Sequence, residues 1–422
     1  MLYHLYELNQ AALSPARVAA DAYRLLFRNP LNPASHTPMG RGAAAALELF
    51  ERTTRRYRKP AWNIDSTTVR GREVGVHVRT VLEKPFCNLI HFERNLPAWH
   101  RRDPKLLIVA PMAGHFPTLL RGTVRDLLPH FDIYLTEWED ARRVPRAEGR
   151  FDLDDYVDYL IEFFAYFRGD VHVMAVCQPT VPVFAAVSLM EAKSDHSVPR
   201  SMTLMAGPID TRVNPTEVNR FAGSHSLHWF EQHAITQVPW PYPGMLREVY
   251  PGFLQLSGFM GMNLDRHLTA HRDLFHNLIR GDGDSADKHR EFYDEFLAVM
   301  DLTAEYYLQT IETVFLNHAL PKGEMFHRGE RVDPSRIKRV ALMTVEGEKD
   351  DISGIGQTEA AHTLSSSLSE SMRERYLQAD VGHYGVFNGS RFRAEIVPRL
   401  RKFIGAHNRR CSLLAKARNL IS

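Results

Sequence analysis

The stretch Val171-His172-Val173-Met174-Ala175-Val176-Cys177-Gln178-Pro179 decides the fold. Six of its first seven residues are apolar, the pattern of a strand covered on both faces of a parallel sheet. The period then changes at once. Val181, Phe184, Ala185 and Leu189 recur at helical spacing, so Cys177 falls at a strand-to-helix turn. A side chain at the tip of such a turn stands at the C-terminal edge of the sheet, where open α/β folds bind ligands. It also faces the first turn of the next helix, whose free N–H groups and dipole favour an anion. Ala175 is small enough to let strand and helix approach. Pro179 is tolerated in a first helical turn, where its missing N–H had no partner. Gln178 keeps its N–H, a donor able to stabilise an oxyanion. Chemically this is a place for a nucleophile. A cysteine closing an apolar run has an ordinary reading too, as a small buried hydrophobe. Residues elsewhere in the chain separate the two readings.

Upstream, residues 1–60 read as a helical segment, with one helix opening at Pro15 and another over Ala43–Phe50. The basic run from Arg52 to Lys59 reads as the solvated end of that second helix. Two or three antiparallel strands are expected between Ile64 and Glu93. Leu106-Leu107-Ile108-Val109-Ala110 is a buried parallel strand that breaks into Pro111-Met112-Ala113-Gly114-His115-Phe116. Further strands are expected over Ile133–Trp138 and Ser201–Ala206, with a helix over Leu153–Phe167 between the first of them and the Cys177 strand. Such alternation implies a doubly wound, mostly parallel sheet. It stops over residues 211–331, where helical segments and aromatic-rich connectors, Trp229, Trp240 and Tyr242 among them, form an expected lid insertion. One of those helices is expected over Lys288–Phe315. The sheet pattern resumes at Ile337–Val345 and ends in Glu346-Gly347-Glu348-Lys349-Asp350-Asp351. After one more helix (Thr358–Leu368) and strand (Met372–Leu377), Gly382-His383-Tyr384-Gly385 precedes a closing helix. The organisation expected is a core of 61–210 and 332–407, a lid of 211–331 between them, and a basic tail of 408–422.

Cys177, Asp350 and His383 therefore follow one another as nucleophile, acid and base, each after a strand. That order is the one used by the α/β-hydrolase fold, which is the fold class expected here. The histidine would take the thiol proton and later protonate the leaving alkoxide, while the carboxylate fixes its tautomer. Oxyanion donors would be the N–H of Gln178 and an N–H of the loop after the Leu106 strand, Met112 or Ala113. Two other acids stay open: Asp351, one residue on, and Asp210, after an earlier strand.

Composition narrows the field. With 422 residues, 44% hydrophobic and 24% charged, the chain has the makeup of a soluble globular protein with a large core. A net charge of +2 gives no argument for nucleic acid. Three cysteines, Cys87, Cys177 and Cys411, suit a reducing compartment rather than a disulfide scaffold. No run of about 18 apolar residues exists to span a membrane, and a cytoplasmic protein is expected. His225, His228 and His233 lack a thiolate or carboxylate at metal spacing, and the acidic loop Asp282–Asp287 lacks a terminal glutamate, so no metal is expected. No cofactor loop is present either.

In the motifs MLYHLYELN, PMAGH, AVCQP, GPID, VEGEKDD and VGHYGVF, the chain resembles the intracellular poly(3-hydroxybutyrate) depolymerases of bacteria. The resemblance implies a catalytic triad of Cys177, Asp350 and His383. It implies native, amorphous polyester granules in the cytoplasm as substrate and partner, and 3-hydroxybutyrate and its oligomers as products. A thioester on Cys177 is also open to attack by another thiol, so coenzyme A is a candidate acyl acceptor. Trp229, Trp240 and Tyr242 of the lid are candidate polymer-binding residues. Two competing readings are a polyester synthase-like acyltransferase, whose cysteine is flanked by glycines that Ala175 and Pro179 replace, and an inactive granule-coating protein. Oligomeric state is not legible.

Overall fold

A computed structural model of the chain describes residues 2–97, 100, 102–262, 264–280 and 282–408. The expected tail, with Cys411, lies outside the described residues apart from Asn408.

Nine strands form the central sheet. In chain order they are β1 (Ser66–Val69), β2 (Arg72–Leu82), β3 (Cys87–Arg94), β4 (Lys105–Val109), β5 (Asp132–Trp138), β6 (His172–Val176), β7 (Ser201–Met205), β8 (Ala341–Gly347) and β9 (Arg373–Gln378). Their spatial order is β1-β2-β3-β5-β4-β6-β7-β8-β9. Strands β1 to β3 pair antiparallel, as does β3 with β5; every pairing from β5 through β9 is parallel. A leading antiparallel hairpin, a β5–β4 exchange and a run of parallel strands make up the α/β-hydrolase fold.

The burial of each strand follows its sequence. β6, β7 and β8 are buried at every position, because helices cover both faces. β9 closes the edge with Arg373, Glu374 and Arg375, charges that blunt an exposed strand. Behind the Cys177 turn, helix Thr180–Ala192 is apolar all round and packs against helix Leu153–Phe167. The latter opens with a reciprocal capping box between Asp152 and Asp155.

Residues 211–331, the expected lid, form a segment inserted between β7 and β8. Helices Glu217–Gly223, Leu227–Ala234, Gly252–Met262, Leu264–Arg280 and Gly283–Phe296 surround a small antiparallel sheet in which Glu248–Tyr250 lies between Thr236–Gln237 and Leu302–Thr303. The single helix expected over Lys288–Phe315 is two helices. Gly283–Phe296 and Ala304–Thr310 are separated because the chain between them extends to meet the Gly114 loop: Met300 N–H donates to the Gly114 carbonyl at 2.7 Å, and Val299 bridges His115. Tertiary pairing overrides helical propensity there.

The N-terminal helix also differs from expectation. It runs from Leu2 to Arg28, straight through Pro15. Ala11, whose carbonyl loses its partner to Pro15, is exposed, so the helix interruption faces solvent. A second helix, Pro38–Thr54, packs against the first and against lid helix Leu264–Arg280. The basic run after it is not a solvated end. Arg52 and Arg55 both reach Asp294 at 2.6 Å, Arg56 reaches Glu7 at 2.7 Å, and Lys59 reaches Glu137 at 3.2 Å. Among the described residues no helix is long and apolar enough to cross a membrane.

Candidate active site

The turn after β6 is strained. Cys177 has φ +66°, a left-handed conformation a non-glycine residue adopts only when its surroundings impose it, at a cost of order 1–3 kcal/mol. Two contacts hold it. The Cys177 N–H donates to the Met205 carbonyl of β7 at 2.7 Å, and its own carbonyl accepts from Thr180 N–H at 3.1 Å. Gly207, just past β7, makes room: a Cβ there would lie 1.9 Å from Thr180 Oγ1 and 2.5 Å from the Cys177 carbonyl oxygen. The thiol side chain is only partly buried.

The imidazole comes from the turn His383–Val386, after β9. Its Nδ1 meets Asp350 Oδ2 at 2.8 Å. Nε2 is thereby left for the sulfur, and Cys177 lies close enough for its charge to act on the ring. Burial by itself would lower the His383 pKa. The charges of Cys177 and Asp350, with hydrogen bonds to both, outweigh it and hold the pKa well above the ordinary histidine value.

Asp350 is closed off from solvent, and its second oxygen is also used. Oδ1 accepts from Ile352 N–H at 2.8 Å and Ser353 N–H at 2.9 Å, which fixes the carboxylate plane. The three candidate acids differ in their contacts. Asp210 is held in a two-pronged pair by Arg212, at 2.8 Å from both Nε and Nη2, and it is Asp350, not Asp351, that contacts His383. Glu346, at the end of β8, braces the Asp350 loop from inside. Its carboxylate accepts N–H bonds from Gly356 at 2.8 Å, Thr358 at 2.7 Å and Glu359 at 3.0 Å.

On the other side stands the loop after β4. Met112 is buried; among the described residues neither its N–H, nor that of Ala113 or Gln178, makes a backbone hydrogen bond. Gly114 has φ +98° and lies against Gln255, whose Oε1 would be 2.3 Å from a Cβ. His115 Nε2 bonds the Phe296 carbonyl at 3.1 Å, and burial lowers its pKa to about 4. The loop is thus pinned by the lid. From the lid, too, comes Tyr306, fully buried and close enough to feel the charge of Cys177; burial raises its pKa.

The three lid aromatics are placed differently from one another. Trp229 is half-buried, stacked on His233 with ring centres 4.5 Å apart. Trp240 is 79% exposed. Tyr242 is tied inward: its hydroxyl donates to Glu7 at 3.1 Å and accepts from Arg56, and its ring packs near Tyr3 and Val249. That makes Tyr242 a joint between lid and N-terminal helix rather than an open landing point. Gly207, Glu346 and Tyr306 escaped the sequence reading. Glu346 left a signal, a lone carboxylate inside an otherwise apolar strand; Gly207 and Tyr306 left none.

Residues 206–408 match the family described as PHB de-polymerase C-terminus, which takes in Asp350 and His383 but not Cys177. Over 368 residues, 84% of this chain and 68% of the other, the sequence is 23% identical to the poly(3-hydroxyalkanoate) polymerase subunit PhaC of Haloferax mediterranei. Similar solved structures include a thermophilic esterase from Thermogutta terrifontis, 11% identical over 82% of this chain and 98% of that one with a TM-score of 0.39. A monoacylglycerol lipase from Paleococcus ferrophilus is 10% identical over 72% and 96% of the two chains, with a TM-score of 0.43. The chain has the α/β-hydrolase fold, with a C-terminal half similar in sequence to that of PHB depolymerases.

Proposed function

We propose that this protein is an intracellular depolymerase that hydrolyses the ester bonds of native amorphous poly(3-hydroxybutyrate) in cytoplasmic granules. Cys177 gives its thiol proton to His383, and Sγ attacks the ester carbonyl carbon. Negative charge on the carbonyl oxygen is met by the N–H groups of Gln178 and Met112. Collapse of this intermediate breaks the C–O bond, and the departing alkoxide takes the proton from His383. A thioester remains on Cys177. Water then attacks it, giving a proton to His383; the C–S bond breaks, the acid is released and the thiolate returns to its imidazolium. Asp350 keeps Nδ1 protonated and the ring aimed throughout.

The observation carrying this reading is the hydrogen bond of 2.8 Å from His383 to Asp350, with the strained Cys177 turn on the ring's other side. The polyester substrate is supported by the match over residues 206–408. Trp240 and Trp229 are proposed polymer contacts, and their replacement by alanine should weaken polymer hydrolysis more than hydrolysis of a short soluble ester. Equal losses would remove them from the polymer-binding role.

A second reading is favoured by the similarity to a polymerase subunit: acyl transfer to a growing chain or to coenzyme A from the same thioester. Incubation with amorphous polymer separates them. Release of free 3-hydroxybutyrate and its oligomers without added coenzyme A supports hydrolysis. Polymer formed from 3-hydroxybutyryl-coenzyme A, with no acid released from granules, supports transfer.

A further inference from the structure

Helix Leu2–Arg28 is amphipathic in the wrong sense for a free surface. Each of its five charged side chains is paired, four of them with partners on other elements or the adjoining turn of the helix. Glu7 meets Arg56 at 2.7 Å, Arg17 donates to the Thr54 carbonyl at 2.7 Å, and Asp21 meets Arg24 at 2.9 Å. Arg28 reaches Glu48 at 2.9 Å, with Arg24 beside it at 3.7 Å. What faces outward is apolar: Leu5, Leu8, Val18, Ala22, Leu25 and Leu26, with further alanines between them. Leu8, Val18 and Leu25 are 65%, 68% and 64% exposed, too open to belong to a core formed by the described residues. Wound at about 3.6 residues per turn, these positions span about half of the helix circumference. His4, Asn9, Ser14 and Tyr23 interrupt them, and the one exposed arginine, Arg28 at the last position of the helix, is paired with Glu48. Past the helix, Leu31 and Met39, 89% and 85% exposed, prolong the strip across the turn to the second helix.

A contiguous apolar surface of this length marks a face that is covered by something. We propose that it is the surface on which the protein lies against an uncharged apolar polymer body, the polyester of the preceding section, and the proposal rests on that reading. Two features select this occupant. An anionic membrane would call for free lysines and arginines beside the apolar face; here Arg17 and Arg24 are turned inward, and Arg28, half-exposed at the end of the helix, is paired with Glu48. A second copy of the chain, pairing helix to helix, would need only a narrow seam recurring every third and fourth residue. The exposed apolar arc is much wider than such a seam and suits an extended surface. The buried hydrogen bond of 2.6 Å from Tyr3 to Asp301 in the lid, and the Glu7 pair, fasten the helix to the body that carries the active site. Docking through this helix would hold that body at the polymer.

The test uses the full chain and two triple variants, L8E/V18E/L25E and L8K/V18K/L25K, all at positions with room for a charge. Each is sedimented with particles of amorphous poly(3-hydroxybutyrate) and with phosphatidylglycerol vesicles, and assayed on p-nitrophenyl butyrate. Expected is a loss of polymer binding of about tenfold or more in both variants, since either sign of charge opposes contact with a neutral apolar surface. Hydrolysis of the soluble ester and the sedimentation-equilibrium mass should stay as in the parent. Unchanged binding to polymer in both variants overturns the proposal, as does a parent that never sediments with the particles. So does weakened binding in the glutamate variant alone with strengthened vesicle binding in the lysine variant, or conversion of a parent dimer to monomer with polymer binding intact. The functional reading fails by a different sign: a parent that cleaves the soluble ester yet frees no 3-hydroxybutyrate from particles it binds.

Discussion

Asp350 and His383 lie 33 residues apart, after adjacent parallel strands, and meet at 2.8 Å between Oδ2 and Nδ1. The carboxylate's other oxygen is held by two backbone N–H groups, so it can turn neither away from the ring nor toward solvent. Asp350→Asn should keep the fold and lower kcat on a soluble ester by about 10²–10⁴, through loss of the correct tautomer and of charge support for the imidazolium. Asp210→Asn, which frees only Arg212, should stay within a few-fold of the parent. Equal effects of the two substitutions would assign the acid wrongly.

Gly207 bears on the nucleophile by absence of bulk. An added Cβ would stand 1.9 Å from Thr180 Oγ1 and 2.5 Å from the Cys177 carbonyl oxygen, both buried under the sheet edge. Gly207→Ala should destabilise by about 1–3 kcal/mol and reduce activity by more than stability alone explains, because the elbow must move. Urea denaturation with a parallel esterase assay tests this; a variant as stable and active as the parent means that the turn relaxes freely.

Glu346 gathers three N–H groups of the Asp350 loop on one carboxylate. Glu346→Ala leaves buried donors unsatisfied, at about 1–3 kcal/mol each, and should loosen the acid. A thermal melt with a kinetic assay should show stability and kcat falling together, with KM for a small ester little changed. Retained kcat in a destabilised variant would limit Glu346 to stability.

Burial depresses the pKa of His115, His172 and His362 to about 4 each. For a histidine depressed on folding, the unfolded chain binds the proton first. Stability is therefore full above about pH 6.5 and is lost as pH falls toward 4, by up to about 3 kcal/mol per histidine. Melting temperature measured from pH 7.5 to 4.5 should fall steeply in the lower half of that range. His172→Asn should flatten the fall, since its partners, Ser201 Oγ at 2.7 Å and Asn408, are polar. A slope unchanged by that substitution would assign the acid sensitivity elsewhere.

The legible parts of this molecule were those written in short windows. Runs rich in apolar residues announced β4, β6, β7 and β8, and the change of period after Cys177 located the elbow. The order of Cys177, Asp350 and His383 along the chain followed from which strands could end at one edge. What escaped was written between distant segments. Pro15 signals a helix start, but the Glu7–Arg56 ion pair, the hydrogen bond from Arg17 to the Thr54 carbonyl and the buried Tyr3 hold one continuous helix through it. Residues 297–301 carry no strand signal of their own and are extended because Gly114 and His115 receive them. Gly207 and Tyr306 matter only by proximity to Cys177, which no local pattern records.

The central claim is a covalent bond to one sulfur atom. Brief exposure of the protein to amorphous poly(3-hydroxybutyrate), acid quenching and peptide mass spectrometry should find hydroxybutyryl units on the peptide bearing Cys177, and none in Cys177→Ala. A Cys177 peptide that stays unmodified while acid is released, or undiminished release by Cys177→Ala, contradicts the account.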